Sequence, residues 1–395
     1  MTAFPVTFPA EREPMSLCFV RVETADGLVG WGEACDSYGC TFAGVVATAV
    51  TDALAPLLVG RSVVAVDAEA ERLRAWTRRR LGDEGVGAPA RSAVEIALWD
   101  LAGQRAGLPV GALLGQARAA VPVYASVGFL EEGDAAWQLR SLEPLLEAGV
   151  RMAKVRLGPA WAADLDTLVG LRAALDPSIE LMIDGSETFT LPTARRIADR
   201  LAELGIGWFE EPLPQTASAG IEELARSSPV AIAYGEHLFS FDAALDALRH
   251  HRLSVLQPDA SSCGGIAEAR RIAELGHAFG ARIVPHCCAG PVALAANLHL
   301  AASQPWISAI EYPPSMVGAW DHLGTGSPLG PTALVDGCLP VPASPGLGVG
   351  IDEDAARALP YRPPRRLTGV RAAPGPGPVG PALLDGRPDR FGGDR

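Results

Sequence analysis

Hydrophobic and polar positions change rhythm along the chain, and the change marks out its architecture. Ser16 to Thr24 and Leu28 to Glu33 alternate with the period of two expected of strands, joined by an Asp26-Gly27 turn. Helical spacing then fills Phe42 to Leu58, Ala65 to Arg80 and Ala90 to Gly107, with apolar residues recurring three and four apart. These segments predict a small α+β unit. From residue 121 onward, short β-rich runs take over: VPVYASV, MAKVRLG, ELMIDG, GWFEEP, AIAYGE, LSVLQPD, ARIVPHC and SAIEYP, each separated by an Ala-rich helical stretch. Eight strand-helix units predict a closed parallel (β/α)8 barrel. A doubly wound nucleotide-binding sheet is the competing arrangement, but no G-x-G-x-x-G follows a first strand, and eight units exceed what it needs. Gly324 to Ile351 is rich in turns and contains a hairpin-like VDGCLPV. The pattern divides the chain into an α+β unit over 1–118, a barrel over 119–322 and a turn-rich return segment over 323–358. The Pro/Gly-rich segment 359–395 is too poor in apolar residues to order itself and is expected to be a flexible tail.

Polar residues fall at telling places on this pattern. Asp184, Glu210 and Glu236 close the third, fourth and fifth barrel strands at spacings of 26 and 26 residues, one unit each. Asp259, His286 and Glu311 close the next three at 23, 27 and 25. Lys154 and Arg156 share one face of the second strand. All eight are predicted to converge at the C-terminal mouth, where this fold places its chemistry. Single acids at such positions commonly serve as helix caps or solvated loop residues. Three in register would repel one another unless a cation sat between them, which points to a hard, oxygen-loving ion, most simply Mg²⁺. His286 beside Asp259 has the arrangement of a base whose tautomer a carboxylate fixes. Lys154 is placed to meet charge developing on a substrate carboxylate oxygen.

Composition narrows the field further. The 395 residues carry a formal net charge of -13 without a Lys/Arg block, which argues against nucleic-acid binding. Ala43 to Val59, the nearest approach to a membrane span, is interrupted by Thr48, Thr51, Asp52 and Pro56. MTAFPVTFPAEREP lacks a basic-then-apolar signal pattern, and the seven cysteines are scattered, so a reduced cytoplasmic protein is expected. Lysine occurs once, at Lys154, in a chain that otherwise uses arginine.

The same residues resemble the enolase superfamily, specifically its mandelate racemase group, which includes acid-sugar dehydratases. The resemblance runs from about 15 to 355 and rests on SAVEIALWDLAGQRAGLPVGALLG (92–115), KVR (154–156), WFEEP (208–212), GE (235–236), QPDASSCGGI (257–266) and PHCCAGPVALAANLHLAAS (285–303). It implies a Mg²⁺ held by Asp184, Glu210 and Glu236, a base dyad of His286 and Asp259, and Glu311 on the bound substrate carboxylate. It also implies that the α+β unit over 1–118 caps the barrel mouth and that 323–358 returns to this cap, with closing loops around 8–14 and 36–42, Tyr38 as a substrate contact, and a symmetric homo-oligomer, dimer or octamer. The family usually has K-x-K where this chain has Lys154-Val155-Arg156; a guanidinium stays protonated and makes an anchor rather than a second base. Racemisation needs titrating groups on both faces, so elimination is favoured: dehydration of a sugar acid to a 2-keto-3-deoxy acid. A racemase or epimerase, or a sugar-lactone cycloisomerase, is the alternative, and a metal-holding scaffold without activity the third reading. A histidine that some dehydratases carry after the third-strand aspartate is replaced here by Gly185-Ser186-Glu187, leaving His237 as a candidate substrate contact or acid.

Overall fold

The computed structural model describes residues 1–9, 14–34, 42–62, 65–130 and 134–363. The chain opens with a three-stranded antiparallel sheet in the order β1 (Thr2–Phe8), β2 (Met15–Glu23) and β3 (Val29–Ala34). β1 is an addition to the expected pair. It is an edge strand carrying Pro5, which has no N–H to donate to a ladder, and this blunts its strand signal. The helical stretch predicted from Phe42 runs as α-helix over Ala43–Thr48, π-helix over Ala49–Leu54 and α-helix again over Ala55–Leu58. Helices Val66–Arg80 and Gly87–Ala106 follow. The latter is buried on most sides up to its last turn, so the polar side chains Arg91, Ser92, Glu95 and Asp100 lie inside the protein, while Gln104 and Arg105 at its end do not.

Eight parallel strands follow: β4 (Ala120–Phe129), β5 (Met152–Arg156), β6 (Glu180–Asp184), β7 (Trp208–Glu210), β8 (Ala231–Tyr234), β9 (Val255–Leu256), β10 (Arg282–Ile283) and β11 (Ile310–Tyr312). They pair in sequence from β4 to β10, and β11 lies beside β4. An Ile283–Ile307 bridge closes the ring, with the Ser308 N–H on the Ile283 carbonyl and the Glu311 N–H on the Pro285 carbonyl, both at 3.1 Å. Side chains two apart in a strand share a face. Met182, Trp208 and Ala309 therefore stand below Asp184, Glu210 and Glu311, and Tyr124 packs edge-on to Trp208 at 5.6 Å. These largely apolar side chains form a buried floor beneath the polar mouth.

The return behaves as its turn residues require. Asp336 and Gly337 both have positive φ, 50° and 73°, and turn Val335 back onto Cys338. Cys338–Pro340 then pairs antiparallel with the start of β4, Gly324–Gly326 pairs with Val349–Ile351, and Pro360 bridges to Val6 of β1. The expected tail lies, from residue 364, outside the described residues. Cys18, Cys263, Cys287, Cys288 and Cys338 are free thiols. Among the described residues no helix is long and apolar enough to cross a membrane.

Candidate active site

The predicted residues gather at the C-terminal ends of the barrel strands, with corrections of detail. Asp184 and Glu210 close β6 and β7. Glu236 instead lies two residues beyond β8, and Asp259 and His286 lie three beyond β9 and β10, which pair over only two residues each. Glu311 sits in the middle of β11 rather than at its end.

Charges alternate across this mouth. The fully buried Lys154 ammonium contacts Glu210 Oε1, lies 2.9 Å from Glu311 Oε1 and 4.0 Å from Asp184 Oδ2, and stands 5.6 Å from the Tyr124 ring centre. Burial works against its charge, but Glu210 and Glu311 prevail and hold its pKa well above the ordinary value. Arg156 Nε lies 2.9 Å from Asp184 Oδ2, while Asp184 Oδ1 accepts the Ser186 N–H at 2.7 Å. Glu210 Oε2 accepts from Gln257 Nε2 at 2.6 Å and from Trp208 Nε1 at 3.1 Å. Burial pushes the Glu210 carboxyl up to about 7; Lys154 opposes this, and Asp184, Glu311 and Glu236 add to it. Burial also penalises the Glu311 charge, yet Lys154, His286 and Arg156 bring that carboxyl down to about 2.

His286 is buried between three acids. Its Nδ1 lies 2.9 Å from Asp259 Oδ2, and its Nε2 is 2.9 Å from Glu236 Oε2 and 3.6 Å from Glu311 Oε2. Burial disfavours the imidazolium, but Glu236 and Glu311 outweigh it and raise the pKa well above the usual histidine value. Against burial, His286 in turn holds Glu236 below the ordinary carboxylate range. Asp259 is fixed on its other oxygen, where Oδ1 accepts from Ser261 N and Ser261 Oγ, both at 2.7 Å, and from Asn297 Nδ2 at 2.9 Å.

A second group stands one to three residues along the chain. Glu187, Glu211 and His237 each offer a donor atom within 4.8 Å of the others, close enough to hold a metal ion. His237 Nδ1 is 2.8 Å from Glu211 Oε1. Ser186, Glu187 and Glu211 have φ of 44°, 56° and 36°, left-handed conformations that re-aim these side chains. Thus His237 meets neighbouring carboxylates, and Asp184, Glu210 and Glu236 each meet a different cation: Arg156, Lys154 and His286. Tyr38 lies outside the described residues, as do parts of both expected closing loops.

Sequence reasoning missed Gln257, Asn297, Glu187 and Glu211. Gln257 was findable, standing two before Asp259. So was Asn297, the first of three polar side chains, with His299 and Ser303, in the buried and mainly apolar helix Pro291–Ser303.

A barrel whose mouth holds buried acids, one buried lysine and a carboxylate-bound imidazole defines a lyase- or isomerase-type enzyme. The chain belongs to the mandelate racemase/muconate lactonizing enzyme family of the enolase superfamily. Residues 6–115 match the mandelate racemase / muconate lactonizing enzyme N-terminal domain, and 138–355 match the enolase C-terminal domain-like family. The chain is 30% identical to D-galactarolactone cycloisomerase of Agrobacterium fabrum, over 85% of this chain and 89% of that protein. It is 30% identical to arabinonate dehydratase of Saccharolobus solfataricus, over 75% and 79%. A racemase from Streptomyces coelicolor A3(2), crystallised with bound magnesium, superposes with a TM-score of 0.78 at 29% identity, covering 90% of this chain and 99% of that one.

Proposed function

We propose that the enzyme takes the α-proton from a sugar-acid carboxylate and expels the β-hydroxyl as water, giving a 2-keto-3-deoxy acid. One observation carries this reading: the Asp259–His286 dyad shares the mouth with Arg156, a guanidinium that stays protonated in the position where the family places a second base. Elimination needs one base, whereas racemisation needs a second on the opposite face. Once Glu236 turns away from Nε2, His286 accepts the α-proton, and the electron pair moves into the carboxylate as an enediolate. Lys154 stabilises charge on the carboxylate oxygen more as the C–H bond breaks than before, which lowers the barrier. The pair then returns to form the carbon–carbon double bond, the β-carbon–oxygen bond breaks, and the hydroxyl leaves with a proton as water. His286 carries that proton, or His237 supplies one from the rim. The resulting enol tautomerises to the keto acid. Arg156 anchors the carboxylate end, Glu311 joins it as a hydrogen-bond donor only when it takes up a proton on substrate binding, and Tyr38 is assigned as a substrate contact.

Asp184, Glu210 and Glu236 are the residues that would hold Mg²⁺. They fit it by donor chemistry: all three offer hard carboxylate oxygens at one mouth, and Lys154, Arg156 and His286 are the cations that an ion there would meet or displace. When bound, the ion supplies Lewis-acid polarisation of the substrate carboxylate. We carry the division at 118, 322 and 358, a cytoplasmic location and a symmetric homo-oligomer as parts of the same reading.

Cycloisomerisation is the second reading, supported by the similarity to D-galactarolactone cycloisomerase over most of both chains. It uses the same base, with a ring oxygen leaving in place of a hydroxyl.

Incubation with Mg²⁺ in D₂O and a panel of aldonic, aldaric and lactone-bearing acids separates these outcomes. Keto acid with loss of water supports dehydration, ring opening at constant mass supports cycloisomerisation, and inversion with deuterium uptake supports racemisation. His286→Asn is expected to abolish α-proton exchange; exchange persisting in that variant overturns the base assignment.

A further inference from the structure

Two barrel helices begin just after the loops that carry the dyad. Ile266–Ala278 follows Asp259, and Pro291–Ser303 follows His286. A helix start leaves backbone N–H groups without partners, and a side chain at the N-cap usually satisfies some of them. Neither helix has such a side chain, because both N-cap positions are glycine, Gly265 and Gly290. Buried carboxylates from the N-terminal segment take their place. Glu33, in β3, accepts from the Gly290 N–H at 2.6 Å and the Ala293 N–H at 3.0 Å. Glu95, in the helix Gly87–Ala106, accepts from the Ile266 N–H at 2.7 Å and the Ala267 N–H at 2.9 Å, and Ser92 Oγ takes the Gly264 N–H at 2.8 Å. The glycines are what admit these acids: a Cβ at Gly290 would stand 2.5 Å from Glu33 Oε1, and one at Gly265 2.1 Å from Glu95 Oε2.

The grip reaches the dyad by short paths. The helix started by Glu33 carries Asn297, which accepts the Ala260 N–H at 3.0 Å and donates to Asp259 Oδ1 at 2.9 Å. Gly290 is four residues from His286 along a wholly buried loop. We infer that Glu33 and Glu95 are positioning residues, which cap these two barrel helices from across the fold and thereby set the distance and tautomer of the Asp259–His286 pair. Both acids are fully enclosed, and burial pushes Glu33 up to about 8 and Glu95 to about 7 against the pull of the backbone N–H groups. Such costly placement is sustained by the donors it satisfies.

This inference rests on reading Asp259–His286 as the dyad, but its test needs no substrate. The full chain, labelled with ¹⁵N-histidine, is examined by NMR for the His286 Nδ1–H resonance, assigned by its loss in His286→Asn. Glu33→Gln and Glu95→Gln are compared with Asp100→Asn. Asp100 is an equally buried acid that accepts from Trp31 N–H at 2.9 Å and Leu347 N–H at 2.8 Å and caps neither helix. The two Gln variants are expected to shift or broaden the resonance and to speed amide exchange over residues 264–267 or 290–293 about tenfold or more. Asp100→Asn is expected to leave both readouts at their parent values. If a Gln variant fails to fold, Glu33→Asp and Glu95→Asp give the same comparison with a smaller effect. An unmoved resonance in the Glu33 and Glu95 variants, or an equal change in Asp100→Asn, overturns the inference. Loss of α-proton exchange in His286→Asn stands or falls separately.

Discussion

Lys154 Nζ lies 2.9 Å from Glu311 Oε1, and both side chains are fully enclosed by the barrel. The ammonium also contacts Glu210, so one cation balances two buried acids. Removing one member of a buried charge set strands the others, at a cost of about 3–5 kcal/mol. Lys154→Met is therefore expected to lower the free energy of unfolding by roughly that amount, read from urea titration. The double variant Lys154→Met/Glu311→Gln should recover part of the loss. Strict additivity of the two substitutions would show that the pair is not coupled.

Arg156 stands against Asp184 where a titrating lysine would provide a second base. Arg156→Lys is expected to permit deuterium uptake with inversion at the α-carbon on a substrate that the parent only eliminates. Arg156→Ala should weaken substrate binding, read as a higher KM. An Arg156→Ala enzyme that racemises as well as the parent would remove the guanidinium from the choice of reaction.

The two adjoining acid groups make different claims on a cation. Mg²⁺ should raise the unfolding temperature of the parent, and a chelator should reverse it. Asp184→Asn is expected to weaken Mn²⁺ binding, followed by electron paramagnetic resonance, by about 100-fold or more, and Glu187→Gln by less than about tenfold. The opposite order would move the metal to Glu187, Glu211 and His237.

His299 gives the fold its own acid sensitivity. The ring is fully buried, with Nδ1 accepting the Gly111 N–H at 3.0 Å and Nε2 donating to the Leu347 carbonyl at 3.1 Å. Burial lowers its pKa to about 4, with the Leu347 hydrogen bond opposing. A folded-state pKa below the unfolded one leaves the unfolded chain binding more protons between about 6.5 and 4. Stability is thus fully present above pH 6.5 and falls by roughly 3 kcal/mol as pH drops through this window. His299→Gln should flatten that slope in urea titrations at stepped pH.

The barrel was legible because its repeat has a length. Acids at 184, 210 and 236 recur at the size of one strand-helix unit, and the period of two aligned Lys154 with Arg156 on β5. The exact strand ends were not legible, since β9 and β10 are two-residue pairings whose limits depend on neighbouring strands. Glu211 was hidden by the same alternation, which sends the residue after Glu210 to the opposite face. Its positive φ undoes that rule. Glu33 and Glu95 read as ordinary polar positions in a strand and a helix; their partners lie about 260 and 170 residues away, beyond any local pattern.

The only lysine in the chain sits at the bottom of this mouth, closed off from solvent. On the folded chain, amine-directed reagents thus find no exposed lysine side chain. Any dye or cross-linker appearing at position 154 would report that the barrel had opened.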